Sequence, residues 1–108
     1  MDKKIDFLGI PLDVLTMSET IQKVEDCIEN REQIHHCVIN AGKVVQMQKD
    51  KMLRDSVLNS DLINADGMSI VWAARFLGYK IPERVTGIDL MEKLVELSFK
   101  KRYRCFFF

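Results

Sequence analysis

Leu62-Ile63-Asn64-Ala65-Asp66-Gly67-Met68-Ser69-Ile70-Val71-Trp72-Ala73-Ala74 carries an apolar run, turn residues and a helical period in immediate succession. Leu62-Ile63 predicts a brief buried strand, and Asn64 to Gly67 supply turn residues that end it. From Gly67 or Met68 to Leu77 the spacing predicts a helix with a broad apolar side of Ile70, Val71, Ala73, Ala74 and Leu77. Trp72 is expected to pack within that helix's contacts. Gly78 follows where a helix needs a residue that accepts positive φ. The unit is strand, turn, helix.

The same order occurs upstream. His35 to Ile39 predicts a strand, and Asn40-Ala41-Gly42 ends it and opens a helix through Val44 and Val45. A further short helix is predicted over about residues 51–59, carrying Met52, Leu53 and Val57. Nearer the start, Ile5 to Leu8 and Leu12 to Leu15 alternate around Gly9-Ile10-Pro11, which predicts two short strands joined by a turn. Thr16 then opens a helix. Glu19 stands three residues on, where it completes a capping box. Ile21, Val24 and Ile28 keep the helical period until about Asn30.

Downstream, Arg84 to Gly87 read as a loop. Thr86 and Asp89 form a cap-like pair before the helix of Leu90, Leu94 and Leu97. Tyr103 to Phe108 predict a strand covered on both faces, reached where a sheet should continue. Strands alternating with helices favour parallel pairing through right-handed crossovers. The expectation is one α/β domain over residues 1–108, with an N-terminal β-hairpin, a mostly parallel sheet and a truncated last strand.

Composition narrows the function. The chain has 108 residues, 47% apolar and 30% charged, with 16 basic and 16 acidic side chains. That balance leaves no electrostatic footprint for nucleic acid. Lys100-Lys101-Arg102 with Arg104 is a candidate local basic patch, and it reads as a helix end whose cations offset the dipole. No apolar stretch reaches the roughly 20 residues that span a bilayer. Met1-Asp2-Lys3-Lys4 is charged, with no long apolar run after it, so it does not read as a secretory signal. Cys27, Cys37 and Cys105 form neither a Cys-x-x-Cys pair nor a disulfide framework, which suits a reducing cytoplasm. All three are expected among apolar neighbours. The six methionines read as core filler.

Ligands of open α/β sheets bind beyond the carboxyl ends of the strands. Asn40 and Asp66 both follow predicted strands, and neighbouring strands would bring them to one crevice. Asp66 has two readings: a general base, or the N-cap of the helix that follows. Gly67 would let a ligand approach the backbone. Arg84 could hold a phosphate, or pair on the surface with Glu83 or another carboxylate. His35-His36-Cys37 does not read as a metal site, because adjacent strand residues point to opposite faces. There is no Walker motif, no Gly-x-Gly-x-x-Gly after a strand and no Ser-His-Asp set.

Phe7-Leu8-Gly9-Ile10-Pro11-Leu12-Asp13, Asn40 with the Val44-Val45 helix, Ala65 to Arg75, Gly78, and Arg84-Val85-Thr86-Gly87-Ile88-Asp89-Leu90 occur here in one order. Together they resemble the bacterial WecG/TagA/CpsF glycosyltransferases along essentially the whole chain. The resemblance implies a Rossmann-like fold and inverting transfer of an N-acetylmannosamine-type sugar. The donor would be a UDP-sugar and the acceptor a polyprenyl-diphosphate-linked sugar, in teichoic acid or other cell-surface polysaccharide synthesis. It implies no metal and no cofactor. It casts Asp66 as the base, Asn40 as a substrate contact and Arg84 as the partner of a diphosphate. Val38 stands where the family usually has threonine. One hydrogen bond to substrate would then be missing, a loss of about 1 kcal/mol.

Family members run to roughly twice this length. The remaining half is expected to carry much of the donor site and a peripheral membrane contact at the inner face of the cell membrane. The chain alone is therefore expected to be inactive. The competing reading is a non-catalytic remnant or interaction module. An unpaired strand edge near Phe106 to Phe108 would recruit a further copy, so a homo-oligomer is expected.

Overall fold

A computed structural model describes residues 4–106. The chain begins with an antiparallel hairpin, β1 (Lys4–Phe7) and β2 (Ile10–Asp13), in which Phe7 faces Ile10. Leu8 and Gly9 close it with φ of 53° and 84°. Positive φ at both central residues matches the right-handed twist of the strands. The Gly9 amide donates to Asp6 Oδ1 at 2.7 Å.

Helix α1 (Met17–Glu29) starts at the predicted capping box. Thr16 Oγ1 accepts from the Glu19 amide at 3.1 Å, and Glu19 Oε1 accepts from the Thr16 amide at 3.0 Å. The helix stops at Asn30, with Arg31 in the left-handed region at φ 56°. The Glu32 amide reaches back to the Cys27 carbonyl at 2.8 Å.

β3 (His36–Ile39) and β4 (Leu62–Ala65) form a parallel pair, with His36 opposite Leu62 and Ile39 opposite Ala65. α2 (Ala41–Met47) and α3 (Lys51–Leu58) connect them. β4 is two residues longer than the apolar run suggests, and all four of its residues are buried. Asn64 can lie inside because its amide is satisfied. Its Oδ1 accepts from His36 Nε2 at 2.8 Å, and its Nδ2 donates to Thr20 Oγ1 at 3.3 Å. On β3, the His35 and Ile39 carbonyls accept from Leu62 and Asp66. Alternation therefore aims the Val38 carbonyl at the outer edge, where Lys43 Nζ donates to it at 3.1 Å.

Asp13 joins the hairpin to the parallel pair. Its carboxylate is buried, and Oδ2 accepts from Lys4 Nζ at 2.9 Å and from the Ile63 amide at 2.7 Å. Oδ1 has no partner. The core beside it is built from Phe7, Leu12, Ile39, Met47, Val57 and Ile63, with Ile70, Val71 and Ala74 of α4 (Met68–Phe76). α4 ends as expected at Gly78, φ 95°, with Gly78 bonded to Arg75 and Tyr79 to Ala74. α5 (Gly87–Lys101) is capped by Thr86 Oγ1, which accepts from Asp89.

Several expectations are corrected. Trp72 is 64% exposed rather than packed, and Ala73 and Leu77 also face outward. At 100° per residue the stripe of Ile70, Val71 and Ala74 leaves Trp72 on the opposite side. Met52 and Met91 are exposed, although Met47 is core. Cys105 is exposed, whereas Cys27 and Cys37 are half-buried. The parallel sheet has two strands among the described residues, alongside the separate hairpin.

The final strand does not form over Tyr103 to Phe106. Side-chain bonds tie this segment to helices rather than to a ladder: the Tyr103 hydroxyl donates to Glu29, and Cys105 Sγ to Ser98 Oγ at 3.0 Å. The acceptor Glu29 holds the Tyr103 phenol up at about 12. Phe107 and Phe108 lie outside the described residues. Within the basic cluster, Lys100 pairs with Glu96 and Lys101 with Glu25.

Candidate active site

The parallel register determines what leaves the sheet together. With Ile39 opposite Ala65, the next residues, Asn40 and Asp66, emerge side by side. The Asp66 amide still donates to the Ile39 carbonyl at 2.9 Å. Asn40 caps α2, its Oδ1 accepting from the Lys43 amide at 2.8 Å. A Cβ on Gly67 would lie 3.8 Å from the Asn40 Cβ. The pairing of Asn40 with Asp66 at one strand end is therefore as the sequence suggested.

Asp66 does not cap α4. That position falls to Gly67, with no side-chain bond. Because Asp66 still extends the ladder, its carboxylate projects one residue too early for α4 and meets α5 instead. Oδ1 accepts from the Gly87 amide, at the first turn of α5, at 3.3 Å. Oδ2 makes no hydrogen bond among the described residues, and it is not a buried orphan. One oxygen is thus held by a helix start while the other stays available.

A cleft of about 740 Å³ opens here, and its lining includes Asp66, Gly67, Val38, Arg84, Gly87 and Asp89. Asn40 adjoins it through Gly67. Gly67 has ordinary room for a Cβ and no positive φ, so what it contributes is bare backbone rather than relief of a clash. Val38 turns its methyl groups toward Gly87, whose added Cβ would lie 3.7 Å from Val38 Cγ2. A hydrocarbon wall stands there.

Arg84 is exposed and has no ion-pair partner among the described residues. The surface pair with Glu83 is overturned: Glu83 Oε1 accepts from the Met17 amide at 2.7 Å, at the start of α1. Val85 is buried and donates to the Ala65 carbonyl at 2.8 Å. Arg75 holds the Ile81 carbonyl through Nε and Nη2, at 3.2 and 2.9 Å. The loop carrying Arg84 is therefore anchored on both sides of the guanidinium.

Two contributors escaped the sequence reading. Asp89 read only as half of a cap, yet it brings a second carboxylate to the cleft. Gly87 read only as a loop residue, and no local signal links it to Asp66, 21 positions away. His36 and Cys37 do not converge with His35 on a metal, and no metal-binding cluster occurs among the described residues. His36 belongs to the Asn64 chain, and burial pushes its imidazole below its ordinary value. It also lines an apolar groove of about 330 Å³ between α1 and α5.

These features define an α/β protein with a carboxylate, an amide and a guanidinium gathered beyond the ends of two parallel strands. The chain belongs to the Glycosyl transferase WecG/TagA/CpsF family, which it matches over residues 5–108. It is similar to the N-acetylglucosaminyldiphosphoundecaprenol N-acetyl-beta-D-mannosaminyltransferases of Staphylococcus aureus strains NCTC 8325 / PS 47 and COL. Identity to each is 23% over 105 residues, covering 95% of this chain and 41% of the relative. The chain thus spans about two fifths of the length of these curated relatives.

Proposed function

We propose that this chain is the N-terminal part of an inverting glycosyltransferase, with the parallel pair as the start of a Rossmann-like sheet. The donor is a UDP-linked N-acetylmannosamine-type sugar. The acceptor is a polyprenyl-diphosphate-linked sugar used in teichoic acid or related wall-polymer synthesis. Asp66 is the base. Its free oxygen takes the proton of the acceptor hydroxyl as that hydroxyl's oxygen bonds to the anomeric carbon. The bond to the departing diphosphate breaks, and its electron pair leaves with the diphosphate. Arg84 offsets the charge gathering there. Asn40 and the Gly67 backbone hold the sugar, with Val38 as the apolar wall.

The observation that carries this reading is Asp66 itself, with one oxygen fixed and one offered to a cleft shared with Arg84. The family and the names of the relatives support the reaction class. The wall contributed by residues 4–106 is one side of a site, so turnover is expected only with the rest of the domain. That larger protein would meet its lipid-linked acceptor at the inner membrane face and is expected to be a homo-oligomer.

The test is sugar transfer by the full-length gene product with and without Asp66→Ala. The variant should lose transfer at least about a hundredfold while its unfolding midpoint holds. Wild-type rates in the variant would remove Asp66 from the chemistry.

A second reading, an interaction module without turnover, is favoured by the exposed apolar surface: Trp72, Phe76, Ile88 and Phe99 are all largely solvent-facing. It predicts no heat of UDP-sugar binding at millimolar ligand, together with self-association in light scattering.

A further inference from the structure

Resting on the assignment of Asp66 as base, we propose that the backbone amide of Gly87 is the positioning group of this site: it fixes the Asp66 carboxylate so that the remaining oxygen faces the acceptor. The first amides of a helix have no partner within it. In α5, Thr86 is the N-cap and its side chain serves Asp89, two residues beyond Gly87. The Gly87 amide is left over, and it points at Asp66 Oδ1, 3.3 Å away.

Among the described residues Asp66 Oδ1 has this single hydrogen-bond donor, and Oδ2 has none. The strand fixes the Asp66 backbone through its bond to Ile39, and the side chain's hydrogen bond among the described residues comes from Gly87. The donor is itself well anchored. Val85, two residues earlier, is bonded to Ala65 of the same strand that leads into Asp66. Thus the start of α5 and the end of β4 form one rigid frame, and the amide crosses it to the acid. A backbone donor has no rotamers to lose, which makes it a better positioning device than a side chain.

The site permits an unusually selective test. Proline is well tolerated at the first residue of a helix, and Thr86, with φ −76° and ψ 143°, already has the extended conformation that proline demands of its predecessor. Gly87→Pro therefore deletes the N–H and leaves α5 intact. Gly87→Ala restores the N–H, and its Cβ meets Val38 at ordinary contact distance.

In the full-length gene product, Gly87→Pro should lower kcat at least about tenfold with KM within about threefold, because an ill-aimed base weakens the reacting step rather than binding. Gly87→Ala should stay within about threefold of the parent in kcat. Equal losses in Gly87→Pro and Gly87→Ala would make position 87 a matter of space and overturn the proposal. A proline variant at parental kcat, beside an inactive Asp66→Ala, would overturn it while leaving the base in place. An active Asp66→Ala would instead remove the reading on which it rests.

A second measurement needs no turnover. In the 108-residue chain, the Gly87 amide proton should move downfield in NMR as pH rises through the carboxylate range, and Asp66→Asn should abolish the movement. Asp89 is the other acid near this amide, so a Gly87 titration that persists in Asp66→Asn would overturn the proposal.

Discussion

The carboxylate of Asp13 and the backbone amide of Ile63 meet at 2.7 Å, 50 positions apart in sequence. This contact is the polar seam between the hairpin and the parallel pair, because β2 and β4 pack without a shared ladder. It holds β4 at Ile63, three residues before Asp66 leaves the strand.

Asp13→Ala should lower stability by about 2–3 kcal/mol, since it strands a buried amide and removes a charge-assisted bond. Lys4→Ala should cost less, about 1–2 kcal/mol, because the buried Asp13 carboxylate loses its cation but keeps the bond from the Ile63 amide, and the place of the ammonium is partly open to water. Urea unfolding checks both. Equal effects, or a change below about 0.5 kcal/mol for Asp13→Ala, would contradict the seam.

Acid should loosen the fold through His36. Burial lowers its pKa in the folded chain, with the Asn64 bond and Asp13 opposing that shift and His35 and Lys43 adding to it. The unfolded chain therefore takes up the proton first. Stability from this group is full above the unfolded value of about 6.5 and falls as pH drops below it. The loss is at most about 1.4 kcal/mol per pH unit, and it ends once the folded imidazole is protonated. Urea midpoints at pH 7.5, 6.5 and 5.5 should show this decline, and His36→Gln should remove most of it.

Two exposed backbone positions should repay a change of residue. Leu8 and Arg31 both lie at positive φ, 53° and 56°, where a Cβ costs roughly 1 kcal/mol. Leu8→Asn gives the hairpin Asn-Gly, the pair its turn favours. Arg31→Gly gives α1 the residue preferred after a helix. Each should raise stability by about 0.5–1 kcal/mol, or Tm by a few degrees for a chain of this size. A fall in Tm for Leu8→Asn would show that Leu8 packs on something.

Glu83 should matter to Arg84 without touching it. Glu83→Ala frees the Met17 amide and one anchor of the loop, costing about 1 kcal/mol. In the full-length gene product KM for the donor should rise severalfold, with less change in kcat. An unaltered KM would mean that the Val85 and Arg75 anchors hold the loop without Glu83.

Local chemistry made much of this fold readable. The Thr16–Glu19 capping box and the stop at Gly78 depend on residues within a few positions of each other, whereas the turn expected at Gly9-Ile10-Pro11 falls on Leu8-Gly9, with Ile10 and Pro11 already paired in β2. The neighbouring exits of Asn40 and Asp66 also followed from strand–helix alternation. What stayed hidden depended on distant partners. Asn64 looked like the end of a strand because its satisfiers, His36 and Thr20, lie on other elements. Asp66 looked like the cap of the next helix because nothing nearby points to Gly87. Trp72 looked internal because hydrophobicity was read without the helix's phase. The expected strand at Tyr103 to Phe106 failed for a related reason: apolar character favours pairing, but it does not supply a neighbour.

The ammonium resting on the Val38 carbonyl has a consequence for how this molecule meets others. An outer strand edge ordinarily invites any extended segment to bond along it. Here the invitation carries a toll: an arriving chain must first dislodge Lys43 and release its charge to water. Casual β-pairing is thereby discouraged, and a newcomer that brings enough contacts of its own can still take the place.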